Sequence, residues 1–225
     1  MQLITTLNPG ASRLLLFFQG WGMDESVFPF ADDPTLDLAL LFDYQDLIVP
    51  GELESLVSGY NKIYLAGWSM GVWVLSRVLP SLSLTPQKTI AINGTLSPIH
   101  EHYGINPGIF DATLNALDHK GRDKFIRRMF ASHADFERFM PLMPRRSLDS
   151  QKKELAALKN FILENPEPSA SAFTHIIITQ HDRIIPTPSQ QRFWEEKSDL
   201  TPLHLPGGHY PFFNWKTWRE LLCLP

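Results

Sequence analysis

Apolar residues gather in short unbroken runs along this chain. Arg13 to Phe18, Asp37 to Phe42, Lys62 to Ala66, Lys88 to Ile92 and Thr174 to Thr179 are mostly Ile, Leu and Phe. Strands covered on both faces of a sheet have this composition, because neither side of the pleat meets water. Thr201 to Leu205 is a weaker candidate, and Met1 to Thr6 reads as an edge strand. Helical patterns alternate with these runs at Glu52 to Gly59, Met70 to Leu79, Ser189 to Lys197 and Asn214 to Leu222. That alternation predicts βαβ units around a mostly parallel sheet, the α/β class.

The alternation breaks between residues 95 and 171. Helical patterns alone appear there, at Asp111 to Leu117, Asp123 to Ala131, Ala134 to Met140 and Asp149 to Leu163. The expected organisation is a single α/β domain over residues 1–225, with a helical lid insertion at 95–171. The alternative is that these helices merely flank the sheet. Structureless loops of that length are uncommon inside a compact domain, so helix is expected on either reading.

Composition narrows the class. The 225 residues are 44% hydrophobic and 12% aromatic, which suits a packed core rather than disorder. A net charge of −4 argues against a nucleic-acid binder. One cysteine, Cys223, leaves no intramolecular disulfide and points to a reducing compartment. The start of the chain has no basic segment, and its longest apolar stretch, Leu14 to Phe18, is too short for a signal peptide or a membrane span. A cytoplasmic protein is expected.

The decisive motif is Gly67-Trp68-Ser69-Met70-Gly71, directly after the run ending at Ala66. A strand ending in G-x-S-x-G and leading into a helix is the nucleophile elbow of serine hydrolases. Glycines two residues before and after the serine let the incoming strand and outgoing helix nearly touch. The hydroxyl then sits at a helix N-terminus, where free N–H groups favour developing negative charge. A chance Gly/Ser pentapeptide would lack this strand-and-helix context.

A serine hydroxyl needs a base, and the base needs a carboxylate to orient it. In this fold class the chain order is Ser, acid, His, with the last two on loops after late strands. Asp182 follows the strand pattern at Thr174 to Thr179 and precedes Arg183-Ile184-Ile185-Pro186, so it is the candidate acid. Asp43 and Asp46 precede the serine, and Asp199 sits before a strand; all three rank below it. His209 is the candidate base, because Gly207 and Gly208 let the chain turn so that its imidazole reaches back. His204 lies inside a strand pattern, and His181 adjoins the acid too closely. Two N–H groups should hold the developing oxyanion. One is expected from Met70, after the nucleophile. The other is expected from Trp21, in the Gln19-Gly20-Trp21-Gly22 turn.

Taken together, the Gly20–Gly22 turn, the elbow, Asp182 and the Gly208-His209-Tyr210-Pro211-Phe212 run resemble the α/β-hydrolase superfamily over essentially the whole chain. More narrowly, the chain resembles the pimeloyl-[acyl-carrier protein] methyl ester esterases of biotin synthesis, in their compact BioG type, with the BioH type more distant. That resemblance implies a serine carboxylesterase with Ser69, Asp182 and His209 as triad and Trp21 and Met70 as oxyanion donors. No cofactor or metal is implied. One departure is Gln19, where many relatives have His; it should affect loop hydrogen bonding rather than chemistry.

Charge distribution bears on the partner. Residues 120 to 159 carry eleven basic side chains against five acidic ones, +6 in all, which leaves −10 for the remainder of a chain of net charge −4. Such a basic surface would steer an acidic macromolecule such as acyl-carrier protein, with Arg127, Arg128, Arg145 and Arg146 as docking residues. A solvated helical face with no partner is the competing reading. Phe125, Met129, Phe139 and Met143 are expected to line an acyl-binding tunnel with Trp21 and Trp68, or else to serve as core. Two further functional readings stay open: a general esterase, lipase or thioesterase of the same fold, and a hydrolase-like binding protein without turnover.

Overall fold

The computed structural model describes every residue except 32, 83, 224 and 225. Seven strands form one sheet: β1 (Gln2–Thr6), β2 (Arg13–Phe18), β3 (Asp37–Phe42), β4 (Lys62–Trp68), β5 (Lys88–Ile92), β6 (His175–Thr179) and β7 (Leu203–Leu205). Their spatial order is β1-β3-β2-β4-β5-β6-β7. Only β1 runs antiparallel to its neighbour, β3; the other pairs are parallel. The apolar runs explain this. β3 is buried at every position, whereas β1 is largely exposed, as an edge strand should be.

Alternate residues of β2 feed two cores. Leu14, Leu16 and Phe18 pack on one side with Leu53 of α1 (Gly51–Ser58), Val72 of α2 (Met70–Val78) and Trp194 of α7 (Thr187–Lys197). Leu15 and Phe17 pack on the other, with Trp218 and Leu221 of α8 (Trp218–Leu222). The result is a three-layer sandwich with the sheet in the middle.

Four helices lie between β5 and β6: α3 (Pro107–Asn115), α4 (His119–Arg128), α5 (His133–Phe139) and α6 (Leu148–Glu164). Each starts at a side-chain cap, from Asn106, Asp118, Ser132 and Ser147 respectively. Asn106 with Pro107 behind it starts α3 four residues before the apolar pattern becomes periodic. Asn214 does not begin the last helix. Residues Phe212–Asn214 form a separate 3-10 turn, and Thr217 caps α8 instead. Among the described residues, no helix is long and apolar enough to cross a membrane.

Candidate active site

The site grows from the junction of β4 and α2. β4 is flanked by β2 and β5, so its end points out of the middle of the sheet. Ser69 sits between strand and helix at φ 59, ψ −124, in the left-handed half of backbone space that costs an L-residue strain. Its N–H donates to the Ile92 carbonyl at 2.9 Å, which ties the turn to β5. The flanking glycines are steric necessities. A Cβ on Gly67 would lie 2.7 Å from the Gly71 carbonyl oxygen, and one on Gly71 would lie 2.1 Å from that of Phe18.

Three side chains distant in sequence converge here. His209 Nε2 lies 2.8 Å from Ser69 Oγ, and His209 Nδ1 lies 2.7 Å from Asp182 Oδ2. All three are buried. Asp182 follows β6 and is held on both oxygens. Its Oδ1 accepts the backbone N–H groups of Ile184 (2.8 Å) and Ile185 (3.0 Å), and its Oδ2 also accepts from Gln190 Nε2 of α7 at 2.8 Å. These donors fix the direction of the carboxylate.

The loop bearing His209 is clamped through its own backbone. The His209 carbonyl accepts from the Trp68 indole at 2.8 Å and from Asn93 Nδ2 at 3.0 Å. Asn93, just after β5, also accepts the Thr179 N–H at 2.8 Å, so one amide joins three strand ends. Tyr210 N–H donates to the Met129 carbonyl at the end of α4. Burial pushes the Tyr210 hydroxyl far above its ordinary range, and it donates to the Val27 carbonyl.

Met70 opens α2, so its N–H is one of the donors a first turn leaves without an intrahelical partner. Trp21 does not offer its indole to the site, because that N–H donates to the Gln151 carbonyl of α6 at 2.7 Å. What remains for an oxyanion is its backbone N–H, for which no partner occurs among the described residues. The turn is braced by α6. Gln151 Nε2 donates to the Gly22 carbonyl (2.9 Å), and Glu154 accepts the N–H groups of Gly22 (3.0 Å) and Tyr44 (3.1 Å). Burial pushes the Glu154 carboxyl up, opposed by the Arg146 guanidinium and by those N–H groups. The Gln19 side-chain amide is buried without a hydrogen bond among the described residues, while its carbonyl accepts from the Tyr44 hydroxyl at 3.0 Å.

An apolar slot of about 40 Å³ adjoins Ser69 and His209. Trp21, Trp68, Phe125 and Met129 line it, joined by Ile105, Ile109, Leu155 and Ile184, which the sequence reading did not single out. Phe139 and Met143 do not. Phe139 packs between the Phe130 and Tyr210 rings in the core, and Met143 faces an outer hollow beside Phe136 and Met140. Helical periodicity alone could not tell these faces apart.

Of the four arginines expected at a docking surface, Arg127, Arg128 and Arg145 are exposed. Arg146 is a correction. Its side chain is 8% exposed and pairs with Asp43 at 2.5 Å and Glu154 at 2.6 Å inside the protein. Of the rival acids and bases, Asp43 is thus held by Arg146, Asp46 pairs with the N-terminal amine, and His181 and His204 are exposed. No group of three or more His, Cys, Asp or Glu among the described residues is placed to hold a metal ion.

A mostly parallel sheet with helices on both faces, and a strained serine between a central strand and its helix, define an α/β-hydrolase. A family model described as pimeloyl-ACP methyl esterase BioG matches residues 4–221, and the chain belongs to that family. The chain is similar to BioG from Haemophilus influenzae, whose crystal structure superposes with a TM-score of 0.86 at 31% identity, covering 98% of this chain and 99% of that one. It is 39% identical over 202 residues to a Bacteroides fragilis protein named malonyl-[acyl-carrier protein] O-methyltransferase. That match takes in 90% of this chain but spans only 40% of the Bacteroides protein. An esterase from Exiguobacterium antarcticum shares the fold, with a TM-score of 0.65 at 15% identity over 98% of this chain and 91% of that one. Fold and family together make this an esterase-type enzyme.

Proposed function

We propose that this chain is a serine carboxylesterase that hydrolyses the methyl ester of pimeloyl-[acyl-carrier protein] to pimeloyl-[acyl-carrier protein] and methanol, in biotin biosynthesis. The observation that carries the reading is the hydrogen-bonded line from Ser69 through His209 to Asp182, with an apolar slot beside it. Family membership supports the substrate class.

The chemistry follows from the geometry. His209 Nε2 removes the Ser69 proton as Oγ attacks the ester carbonyl carbon. Negative charge moves to the carbonyl oxygen, where the backbone N–H groups of Met70 and Trp21 receive it. Asp182 keeps the Nδ1–H tautomer and stabilises the imidazolium. His209 then protonates the departing methoxide, giving methanol and an acyl-serine. Water, deprotonated by the same ring, attacks the acyl carbon, and Ser69 leaves with its proton restored. The product is a free carboxylate.

The helices α3 to α6 act in this reading as a lid insertion within one hydrolase domain, since α3, α4 and α6 supply slot residues Ile109, Phe125 and Leu155. Exposed Arg127, Arg128 and Arg145 form the surface that meets the acidic carrier protein. The test pairs two measurements. Wild-type enzyme should release methanol from the carrier-linked methyl ester and should restore biotin-free growth to a strain lacking its methyl ester esterase. Ser69→Ala should do neither, and should lose labelling by a fluorophosphonate. Ready hydrolysis of simple esters with no action on the carrier-linked ester would overturn the substrate assignment.

A further inference from the structure

The turn Gln19-Gly20-Trp21-Gly22 holds two glycines, so its own backbone preferences do little to fix it. Gly22 sits at φ 77, which L side chains rarely adopt, and it spends both backbone groups on α6. Its N–H donates to Glu154 Oε2 at 3.0 Å, and its carbonyl accepts from Gln151 Nε2 at 2.9 Å. Gln151 also packs over it, since a Cβ on Gly22 would lie within 3.7 Å of the Gln151 Cγ, Cδ and Nε2. A trans peptide is planar, so the bond that aims the Gly22 N–H also aims the Trp21 carbonyl, the opposite way. The Trp21 indole is pinned to the Gln151 carbonyl at 2.7 Å. Trp21 is therefore held at its side chain and at its following peptide, and its own N–H keeps one direction.

Resting on the carboxylesterase reading, we infer that Gln151 and Glu154 are positioning residues for the oxyanion step, acting through the turn to hold the Trp21 N–H where negative charge develops. Neither lines the slot beside Ser69, although their neighbour Leu155 does. Three residues apart on α6, they share one helix face. The residue types fit the task. The Gly22 carbonyl can only accept, so Gln151 presents its nitrogen there, and its Oε1 is left buried without a partner among the described residues. An unpaired buried acceptor costs stability, so packing alone does not account for a glutamine here. Position 154 needs two acceptor oxygens, because Oε2 takes the Gly22 N–H and Oε1 takes that of Tyr44. A carboxyl group supplies two and an amide only one. Charge reaches the ester oxygen only as the tetrahedral intermediate forms, so a rigidly aimed donor lowers the barrier and leaves substrate binding little changed.

The test uses p-nitrophenyl acetate and the carrier-linked methyl ester as substrates, with two ketones as probes. Propyl trifluoromethyl ketone adds to the Ser69 hydroxyl and leaves an oxyanion in the hole, whereas propyl methyl ketone reads binding to the slot alone. Gln151→Met keeps the side-chain length and removes the Nε2 donor together with the unpaired Oε1, so its thermal melt should move little. It should lower kcat about tenfold on both esters with KM little changed, and weaken the trifluoromethyl ketone by a similar factor. Propyl methyl ketone should bind as it does to the wild type. Glu154→Gln, which leaves one N–H without an acceptor, should show the same pattern more strongly. Wild-type kcat in folded Gln151→Met, or a fall in kcat with trifluoromethyl ketone affinity unchanged, would overturn the inference and leave the functional reading intact. A wild-type protein that cleaves neither ester would remove the functional reading itself, and this inference with it.

Discussion

Arg146 and Glu154 meet at 2.6 Å in the interior, where the Glu154 side chain is wholly buried. The same guanidinium reaches Asp43 at 2.5 Å, and the same carboxylate accepts the Gly22 and Tyr44 N–H groups. One buried cation therefore neutralises two acids and links α6 to the loops after β2 and β3. Removing it leaves buried carboxylates without a counter-charge. Arg146→Ala is expected to cost about 3–5 kcal/mol of stability, read from urea unfolding. A loss below ~1 kcal/mol would mean that water reaches the cluster freely.

Gln190 calls for a separate test, because it touches Asp182 without lining the slot beside Ser69. Its amide donates to Asp182 Oδ2 at 2.8 Å and to the Ile185 carbonyl at 2.7 Å. Gln190→Leu should lower kcat about tenfold with little change in KM, as the carboxylate loses one of the groups that aim it. Gln190→Glu, by adding a second buried acid beside Asp182, should be worse. Wild-type kcat in both variants would leave Gln190 with a packing role only.

Carrier recognition should separate from chemistry at Arg127 and Arg145, which are exposed. Arg127→Glu with Arg145→Glu is expected to raise KM for the carrier-linked ester and to flatten its dependence on salt. Turnover of p-nitrophenyl acetate serves as the comparison. Equal loss on both substrates would remove these residues from the docking surface.

Alkaline stability has an assigned group. Burial, helped by a hydrogen bond to the Asp37 carboxylate, pushes the Tyr60 hydroxyl from 10.0 up to about 12. The folded protein thus keeps a proton that the unfolded chain loses first. The stabilisation is complete below pH 10 and is lost as pH rises through about 12. Tyr60→Phe should flatten the stability profile in that window, measured by denaturant melts at stepped pH. An unaltered slope would assign the alkaline transition to other groups.

Most of the sheet was legible in the sequence because a strand covered on both faces advertises itself as an unbroken apolar run, as at Leu14 to Phe18. Ser69, Asp182 and His209 were legible because each sits on a turn whose geometry constrains its neighbours to Gly or Pro. Other features were not. That Arg146 is internal depends on Asp43 and Glu154, which only the fold brings to it, so a count of charges places it on the surface. The Trp21 indole meets a carbonyl 130 residues away, beyond any local pattern. Gln190 looks like any polar residue of an amphipathic helix until Asp182 is placed beside it. Asn106-Pro107, by contrast, is a local start signal for α3 that an apolar pattern beginning at Asp111 passes over.

The bond from Tyr210 N–H to the Met129 carbonyl, at 3.2 Å, has a mechanical consequence. It ties the foot of α4 to the segment that carries His209, so α4 cannot swing outward without dragging the imidazole off the serine. Any widening of the slot while the ring stays in register must come from the opposite jamb, α3. Amide protons of α3 should accordingly exchange with solvent sooner than those at the foot of α4.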